Sequence, residues 1–80
     1  MAVKIFIRRK IPEDRTNDLL PLFRRLRNLA TNQSGYISGE TLTSSQDPQT
    51  LVVIGSWQDM ESWINWREND TRKTLEKMLE

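Results

Sequence analysis

Two strand-forming stretches on either side of one turn constrain the fold of this chain most. Residues 49–57, QTLVVIGSW, carry the strongest strand signal in the sequence, and residues 36–43, YISGETLT, indicate a second strand. The segment between them, SSQDP at 44–48, is dense in turn-forming residues. Strands this close in sequence pair most readily as an antiparallel hairpin. We therefore expect an antiparallel sheet.

The first 35 residues indicate one strand followed by one helix. Val3, Ile5 and Ile7 alternate with more polar neighbours, which predicts a strand with one apolar face. Apolar residues at helical spacing then predict an amphipathic helix that ends near Gly35. These residues are Leu19, Leu22, Phe23, Leu26, Leu29 and Ala30, and Arg24, Arg25 and Arg27 fill the gaps. Pro21 is harmless in a first turn, but it removes one hydrogen bond if the helix starts near Glu13.

The C-terminal third indicates two short helices. Gln58 or Asp59 is expected to cap the first one. Its predicted inward positions are Met60, Trp63 and Ile64, with Trp66 or Arg67. Asp70 is expected to cap the second, which carries Leu75, Met78 and Leu79. The order β-α-β-β-α-α predicts an α+β protein that resembles a ferredoxin-like antiparallel sheet with helices on one face.

Composition limits the chemistry of the chain. Its 80 residues form one expected domain, 1–80, of a size at which association with a second copy would add stability. Cysteine and histidine are absent, which removes thiolate sites, the commonest general base and the commonest ligand of haem and transition metals. The glycines, Gly35, Gly39 and Gly55, do not form a phosphate loop. We expect no cofactor and no metal.

Charge and hydropathy disfavour nucleic acid and membrane as partners. The 12 basic residues nearly balance the 11 acidic ones, and the longest apolar run, residues 51–54, is far too short to span a bilayer. No secretion signal opens the chain, so we expect a cytoplasmic protein. An RNA-binding module is the least favoured alternative: strand 51–56 lacks the aromatics that would stack on bases, and acidic residues balance the arginines. The basic set is Arg8, Arg9, Lys10, Arg24, Arg25 and Arg27, and the acidic set is Glu61, Glu68, Asp70, Glu76 and Glu80.

Two segments of the chain resemble the antibiotic biosynthesis monooxygenase domain, a family of dimeric α+β barrels. They are IRRKIPEDR and QSGYISGETLTSSQDPQTLVVIGSWQDMESWINW, with Gly35-Tyr36-Ile37, Trp57 and Trp66 as the hallmarks. The resemblance covers essentially the whole chain and implies a homodimer. Family members usually carry one more strand after the C-terminal helices, so the final strand is expected to be missing here. An exposed sheet edge would result.

The three tryptophans are assigned by position. Trp57 and Trp63 are expected in the core. Core and pocket wall both remain open for Trp66, which matches a tryptophan that lines the pocket in the haem-degrading branch of the family. That branch places its iron-binding histidine where this chain has Glu76, and its first-strand asparagine where this chain has only Ile7, Arg8 and Arg9. Haem chemistry is therefore disfavoured, and Glu76 is expected to be a solvated helix residue.

The resemblance implies cofactor-independent oxygenation of electron-rich phenols. Such chemistry needs an aromatic pocket, a group that accepts the phenolic proton and a cation that stabilises the anion. The candidates for binding the substrate are Trp66, Tyr36, Arg9 and Glu40; which residues are catalytic is unknown. Tyr36 is alternatively a strand aromatic that packs across the sheet, and Arg9 and Glu40 are alternatively solvated. The leading hypothesis is a monooxygenase for an aromatic or quinol-type small molecule. The alternative is a non-catalytic dimeric ligand-binding or accessory domain.

Overall fold

The computed structural model describes residues 1–79 and has the predicted order of strands and helices. The elements are β1 (Val3–Lys10), a 3-10 turn (Glu13–Arg15), α1 (Thr16–Thr31), β2 (Tyr36–Thr43), β3 (Thr50–Trp57), α2 (Met60–Arg67) and α3 (Asp70–Met78). Glu80, which was included in the charge balance, lies outside the described residues. The predicted α+β class with a ferredoxin-like antiparallel sheet is confirmed.

The three strands form one antiparallel sheet in the order β1-β3-β2, which confirms the predicted hairpin of β2 and β3. Val3 and Tyr36 both lie opposite Trp57 at one end of β3, and Arg9 lies opposite Leu51 at the other end. The register of β2 shifts between residues 36 and 38. β3 starts one residue later than predicted because Asp47 holds residue 49 in the turn: its Oδ1 accepts a hydrogen bond from the Gln49 N–H.

The helices cover one face of the sheet. Along β1 the odd-numbered residues from Val3 to Arg9 are partly buried and the even-numbered ones are exposed. The core on the covered face contains Leu26 from α1, Trp57 from β3, Trp66 from α2 and Leu75 from α3. Period-2 alternation thus separates a helix-covered face from an open face.

Side-chain caps begin both C-terminal helices. Asp59 caps α2, as one of the two predictions had it, with Oδ1 accepting the Ser62 N–H at 2.8 Å. The prediction of Asp70 as the cap of α3 is wrong. Asn69 is the cap and accepts the Arg72 N–H at 3.0 Å. Asp70 is instead the first residue of the helix, where a negative charge still favours the helix dipole.

Two details of the helices differ from the predicted pattern. Pro21 is the sixth residue of α1, beyond the first turn, so the helix lacks the hydrogen bond that its N–H would have made. Met60 and Ile64, predicted to face inward, are exposed, and so is Met78. Trp63 and Trp66, which are one turn apart, occupy the inward side of the short helix α2.

Candidate functional site

A cavity lies between the helix-covered face of the sheet and the three helices. The volume open to the centre of a water-sized sphere is about 100 Å³. About 10–15 Å³ of such volume is enough to hold one water molecule. The cavity therefore has room for several waters or for a small aromatic ring system. All three strands and all three helices contribute to its lining: Ile5, Ile7, Arg9, Phe23, Leu26, Arg27, Ala30, Tyr36, Gly39, Glu40, Thr41, Leu51, Val53, Ile54, Gly55, Trp57, Trp63, Trp66 and Arg72.

Aromatic rings form one end of the cavity. Tyr36 meets Trp57 edge to face, with ring centroids 5.4 Å apart, and Trp57 meets Trp63 at 6.0 Å. Trp57 is in the core, as predicted, with 2% of its surface exposed. Trp66, 5% exposed, is in the core and also lines the cavity, so the two interpretations of this residue are compatible. Trp63 packs against the core but is only partly buried.

An ion cluster of Arg9, Arg72 and Glu76 lies toward the other end. Arg9 donates two hydrogen bonds to the Glu76 carboxylate, Nη1 to Oε2 at 3.0 Å and Nη2 to Oε1 at 2.6 Å. Arg72 Nη2 lies 3.2 Å from the same Oε1. The Arg9 side chain is 16% exposed and that of Glu76 28%. The solvated interpretations of Arg9 and Glu76 are therefore wrong, because a pairing across 67 positions of sequence holds both at the protein interior.

Both arginines also stack on aromatic rings. The Arg72 guanidinium lies 5.3 Å from the ring centroid of Trp63 and 5.9 Å from that of Trp66. Arg9 lies 5.4 Å from the ring centroid of Phe23. Cation–π attraction and the Glu76 carboxylate together hold the two guanidiniums against the cavity wall.

The electrostatics of the cluster favour an anionic ligand. Hydrogen bonds from Arg9, more than the charges of Arg9 and Arg72, hold the pKa of Glu76 below its ordinary value, against the effect of burial. Burial lowers the pKa of Arg72, while Glu76 opposes that shift. An arginine remains protonated at neutral pH even so. Two positive charges against one negative charge leave this part of the cavity with one unbalanced positive charge.

Two glycines form the floor of the cavity where the strands pair. Gly39 of β2 lies directly opposite Gly55 of β3. A Cβ on Gly55 would lie 3.1 Å from Trp57 Nε1, and a Cβ on Gly39 would lie 2.6 Å from Tyr36 Oη. Neither position has a positive φ, since Gly35 is the positive-φ glycine of residues 1–79. The missing side chains at 39 and 55 thus make room for the side chains of Tyr36 and Trp57 and do not serve a special backbone conformation.

Three of the four residues predicted to bind a substrate, Arg9, Tyr36 and Trp66, line this cavity with their side chains, but they are spread along it. Tyr36 lies beside Trp57 at one end of the sheet, and Arg9 lies opposite Leu51 at the other. Six residues of β3 separate these two positions, which is about 20 Å at about 3.3 Å per residue. Glu40 of β2 is exposed and lies opposite Ile54, so its side chain is on the open face of the sheet together with Phe6 and Leu42. Trp66 forms part of the helical wall.

Comparison with known protein families identifies the family of this chain. The family model described as antibiotic biosynthesis monooxygenase matches residues 2–77. The chain belongs to the antibiotic biosynthesis monooxygenase family. The family resemblance seen in the sequence is thereby confirmed. A comparison with curated proteins found no match.

Solved structures of similar fold include a conserved protein from Methanosarcina mazei, with a TM-score of 0.90 and 17% identity over 98% of this chain and 77% of that one. Rv0793 from Mycobacterium tuberculosis has a TM-score of 0.86 and 14% identity over 99% and 80%. SnoaB, a cofactor-independent oxygenase from Streptomyces nogalater, has a TM-score of 0.72 and 17% identity over 98% and 76%. At such identities the likeness concerns the fold alone.

Sequence reasoning about this monooxygenase-family domain missed most of the cavity wall, including the aromatic and cationic residues Phe23, Trp63 and Arg72. Arg72 and Glu76 form an (i, i+4) pair that the sequence does display. Stacking of Arg72 on Trp63 and Trp66 could not be found in the same way, because it depends on the angle between α2 and α3.

Metal and membrane sites were also sought within residues 1–79. No group of three or more acidic, histidine or cysteine side chains there is arranged to hold a metal ion. No helix in that range is long and apolar enough to cross a membrane.

Proposed function

We propose that this family member is a cofactor-independent monooxygenase that oxidises an aromatic or quinol-type small molecule in the cavity between sheet and helices. One observation carries the proposal: aromatic rings wall the cavity, and Arg9 and Arg72 supply an unbalanced positive charge on its lining. A flat ring fits between such walls. A phenolate oxygen is stabilised by a nearby guanidinium.

The chemistry needs electrons only from the substrate. Loss of a phenolic proton raises the electron density of the ring, which then reacts with O2. A ring CH2 of the keto tautomer becomes C=O, the second oxygen atom leaves as water, and the substrate supplies all four electrons. Arg9 and Arg72 are the proposed partners of the anion, and the phenolic proton is proposed to leave to water, because the Glu40 side chain lies on the other face of the sheet. Glu76 is a poor base, because its lowered pKa means a low affinity for a proton and its oxygens already accept hydrogen bonds from Arg9.

Oxygen consumption tests this proposal. Purified protein is supplied with naphthoquinols and anthrone-type phenols in an oxygen electrode, and products are analysed by mass spectrometry with ¹⁸O2. We expect Arg72→Lys, which loses the planar stacked cation, to lower kcat/KM by about 10- to 100-fold. Arg24→Lys on the exposed side of α1 is the matched control and should leave it unchanged. Folded wild-type protein that consumes no oxygen with any of these compounds would refute the oxygenase.

A second candidate is a ligand-binding domain without turnover. The state of Glu76 favours it, since the carboxylate at the cationic part of the cavity is engaged by two arginines and cannot accept a proton readily. Saturable binding of the same phenols by folded wild-type protein, without oxygen uptake, would support this candidate.

We further propose that the open face of the sheet pairs two copies of the chain. Phe6, 67% exposed, lies opposite Ile54, and Leu42, 46% exposed, lies opposite Val52 on the same face. Burial of this apolar face would add stability that so short a chain lacks. Phe6→Lys should convert a dimer into a monomer in sedimentation experiments, whereas Leu20→Lys on α1 should not. A monomeric wild type at micromolar concentration contradicts the proposal.

A further inference from the structure

The indole N–H of Trp57 reaches the aromatic end of the cavity. Trp57 is 2% exposed, and its Nε1 makes no hydrogen bond to any of residues 1–79. Every side-chain nitrogen or oxygen that is fully buried in that range has a hydrogen-bond partner, so Nε1, which has none there, is not fully buried. Nε1 is therefore one of the few atoms of Trp57 that reach the cavity. The missing side chain of Gly55 is what opens it, because a Cβ there would lie 3.1 Å away.

A second polar atom lies over the neighbouring glycine. Tyr36 Oη lies 2.6 Å from the position that a Cβ of Gly39 would take, and it too makes no hydrogen bond within residues 1–79. Gly39 and Gly55 are direct cross-strand partners, and Cβ positions so paired are about 4.5–5.5 Å apart. The two atoms therefore cover neighbouring glycines, and one edge of a flat ligand packed beside them in the cavity can reach both.

The chemistry of the two groups defines what they can recognise. An indole N–H only donates a hydrogen bond, whereas a tyrosine hydroxyl donates or accepts. A donor that reaches a cavity is satisfied by water or by an acceptor atom of a bound ligand. The group that fits is therefore an acceptor oxygen, either a carbonyl or an ionised hydroxyl. An ammonium group or an aliphatic edge does not satisfy the N–H.

We propose that Trp57 Nε1 and Tyr36 Oη, above the Gly39–Gly55 floor, form a subsite that takes a carbonyl or ionised hydroxyl oxygen at the edge of a flat aromatic ligand. This inference rests on the proposed function and narrows its substrate class. Arg9 lies opposite Leu51, four residues of β3 from Gly55 or about 13 Å along the strand. The subsite is thus separate from Arg9, whereas Arg72, stacked on Trp63 beside Trp57, lies nearer to it. The ligand carries oxygen functions at two separated positions, as hydroxylated naphthoquinones do.

A pair of probes isolates the subsite. The first is 2-hydroxy-1,4-naphthoquinone, which offers carbonyl oxygens and an ionised hydroxyl. The second is naphthalene-2-sulfonate, which keeps the ring and an anion for the arginines but has no carbonyl. In ¹⁵N spectra, with the three indole signals assigned by Trp→Phe variants, we expect the Trp57 N–H signal to move downfield with the quinone and not with the sulfonate.

Affinities of variants give the second measurement. Tyr36→Phe removes the hydroxyl, and Gly55→Ala places a methyl group against Trp57 Nε1 at a position with an ordinary φ. Each should weaken binding of the quinone about tenfold, as expected for one hydrogen bond, and change binding of the sulfonate by no more than about twofold. Ser38→Ala, which removes a hydroxyl of β2 on the open face of the sheet, is the control and should affect neither probe.

The outcomes separate the inference from the proposed function. Equal weakening of both probes, or unchanged quinone binding in Tyr36→Phe and Gly55→Ala, overturns the subsite and leaves the oxygenase standing. A quinone that binds with the expected Trp57 shift, while the corresponding quinol consumes no oxygen, supports the subsite and refutes the oxygenase. Failure of both probes to bind the folded wild type overturns the two together.

Discussion

Replacement of Glu76 by glutamine tests the ion cluster most directly. The substitution keeps the shape of the side chain and removes its charge. Arg9 then loses one of its two acceptor oxygens, now at 3.0 and 2.6 Å, and Arg9 and Arg72 both lose the negative charge that they share. Both guanidiniums remain partly buried beside the cavity with no counter-charge between them. We expect a clear loss of stability.

The size of the loss follows from opposing terms. Two unit charges about 4 Å apart attract by about 4 kcal/mol at an effective dielectric constant of about 20, and Glu76 faces two of them. Desolvation of the three groups and repulsion between Arg9 and Arg72 cancel much of this attraction. Charge-assisted hydrogen bonds contribute about 1.5–3 kcal/mol net in proteins. Glu76→Gln should therefore lower the free energy of unfolding by about 2–3 kcal/mol at neutral pH.

The pH dependence gives the loss a signature. Hydrogen bonds from Arg9 place the folded-state pKa of Glu76 below its ordinary value of 4.5. As pH falls, the unfolded chain therefore takes up the proton first, and the folded state is progressively destabilised. The contribution of Glu76 is complete above the unfolded value and disappears as the pH falls through the lower folded value. Urea unfolding of wild type and Glu76→Gln should give curves that differ most at neutral pH and converge in acid.

Glu68→Gln is the matched control. Glu68 pairs with Lys73 at 2.7 Å, but both side chains are about half exposed, so the change should cost only a small fraction of the Glu76 effect. A Glu76→Gln protein as stable as wild type, or one whose deficit is the same in acid as at neutral pH, would refute the electrostatic account.

Three further predictions concern local structure. Asn69→Ala removes the cap of α3 and should lower the free energy of unfolding by about 1 kcal/mol in urea titrations, whereas Asn69→Asp should largely retain it. Gly35→Ala forces a side chain onto a residue with φ 84° and should cost about 1–2 kcal/mol or more; an unchanged melting temperature would contradict this. The hydrogen bond from Lys10, then that from Thr50, lowers the pKa of Asp47 from 3.8 to about 2. The stability that Asp47 provides is therefore present above pH 3.8 and lost as pH falls through about 2. The carboxyl ¹³C titration should show that low midpoint, and Lys10→Met should raise it.

Much of the fold follows from local patterns. The alternation at Val3–Ile7 predicts β1, and turn formers at 44–48 predict the hairpin, because strand pairing across a short loop depends mainly on residues within it. The choice of Asn69 over Asp70 as a cap could not be predicted, since both residues suit the role and a shift of one residue separates them. The same limit explains the start of β3 at Thr50.

The candidate site depends far more on tertiary structure. Tyr36, Trp66, Arg9 and Glu40 could be selected by residue type, and the first three do surround one cavity, whereas strand register places the Glu40 side chain on the open face of the sheet. Their surroundings could not be inferred, because Arg9 and Glu76 are brought together only when α3 packs beside β1.

By itself, the sequence determined the order of elements, the antiparallel hairpin and the family, because periodicity, turn chemistry and local motifs are written in neighbouring residues. Tertiary structure alone decided that Trp66 is both core and cavity wall, that Glu76 is paired, and that Gly39 and Gly55 meet beneath Trp57. The physical reason is one of distance. Helical and strand periods determine which face a residue occupies, whereas register between strands and the packing angle of helices determine what it touches.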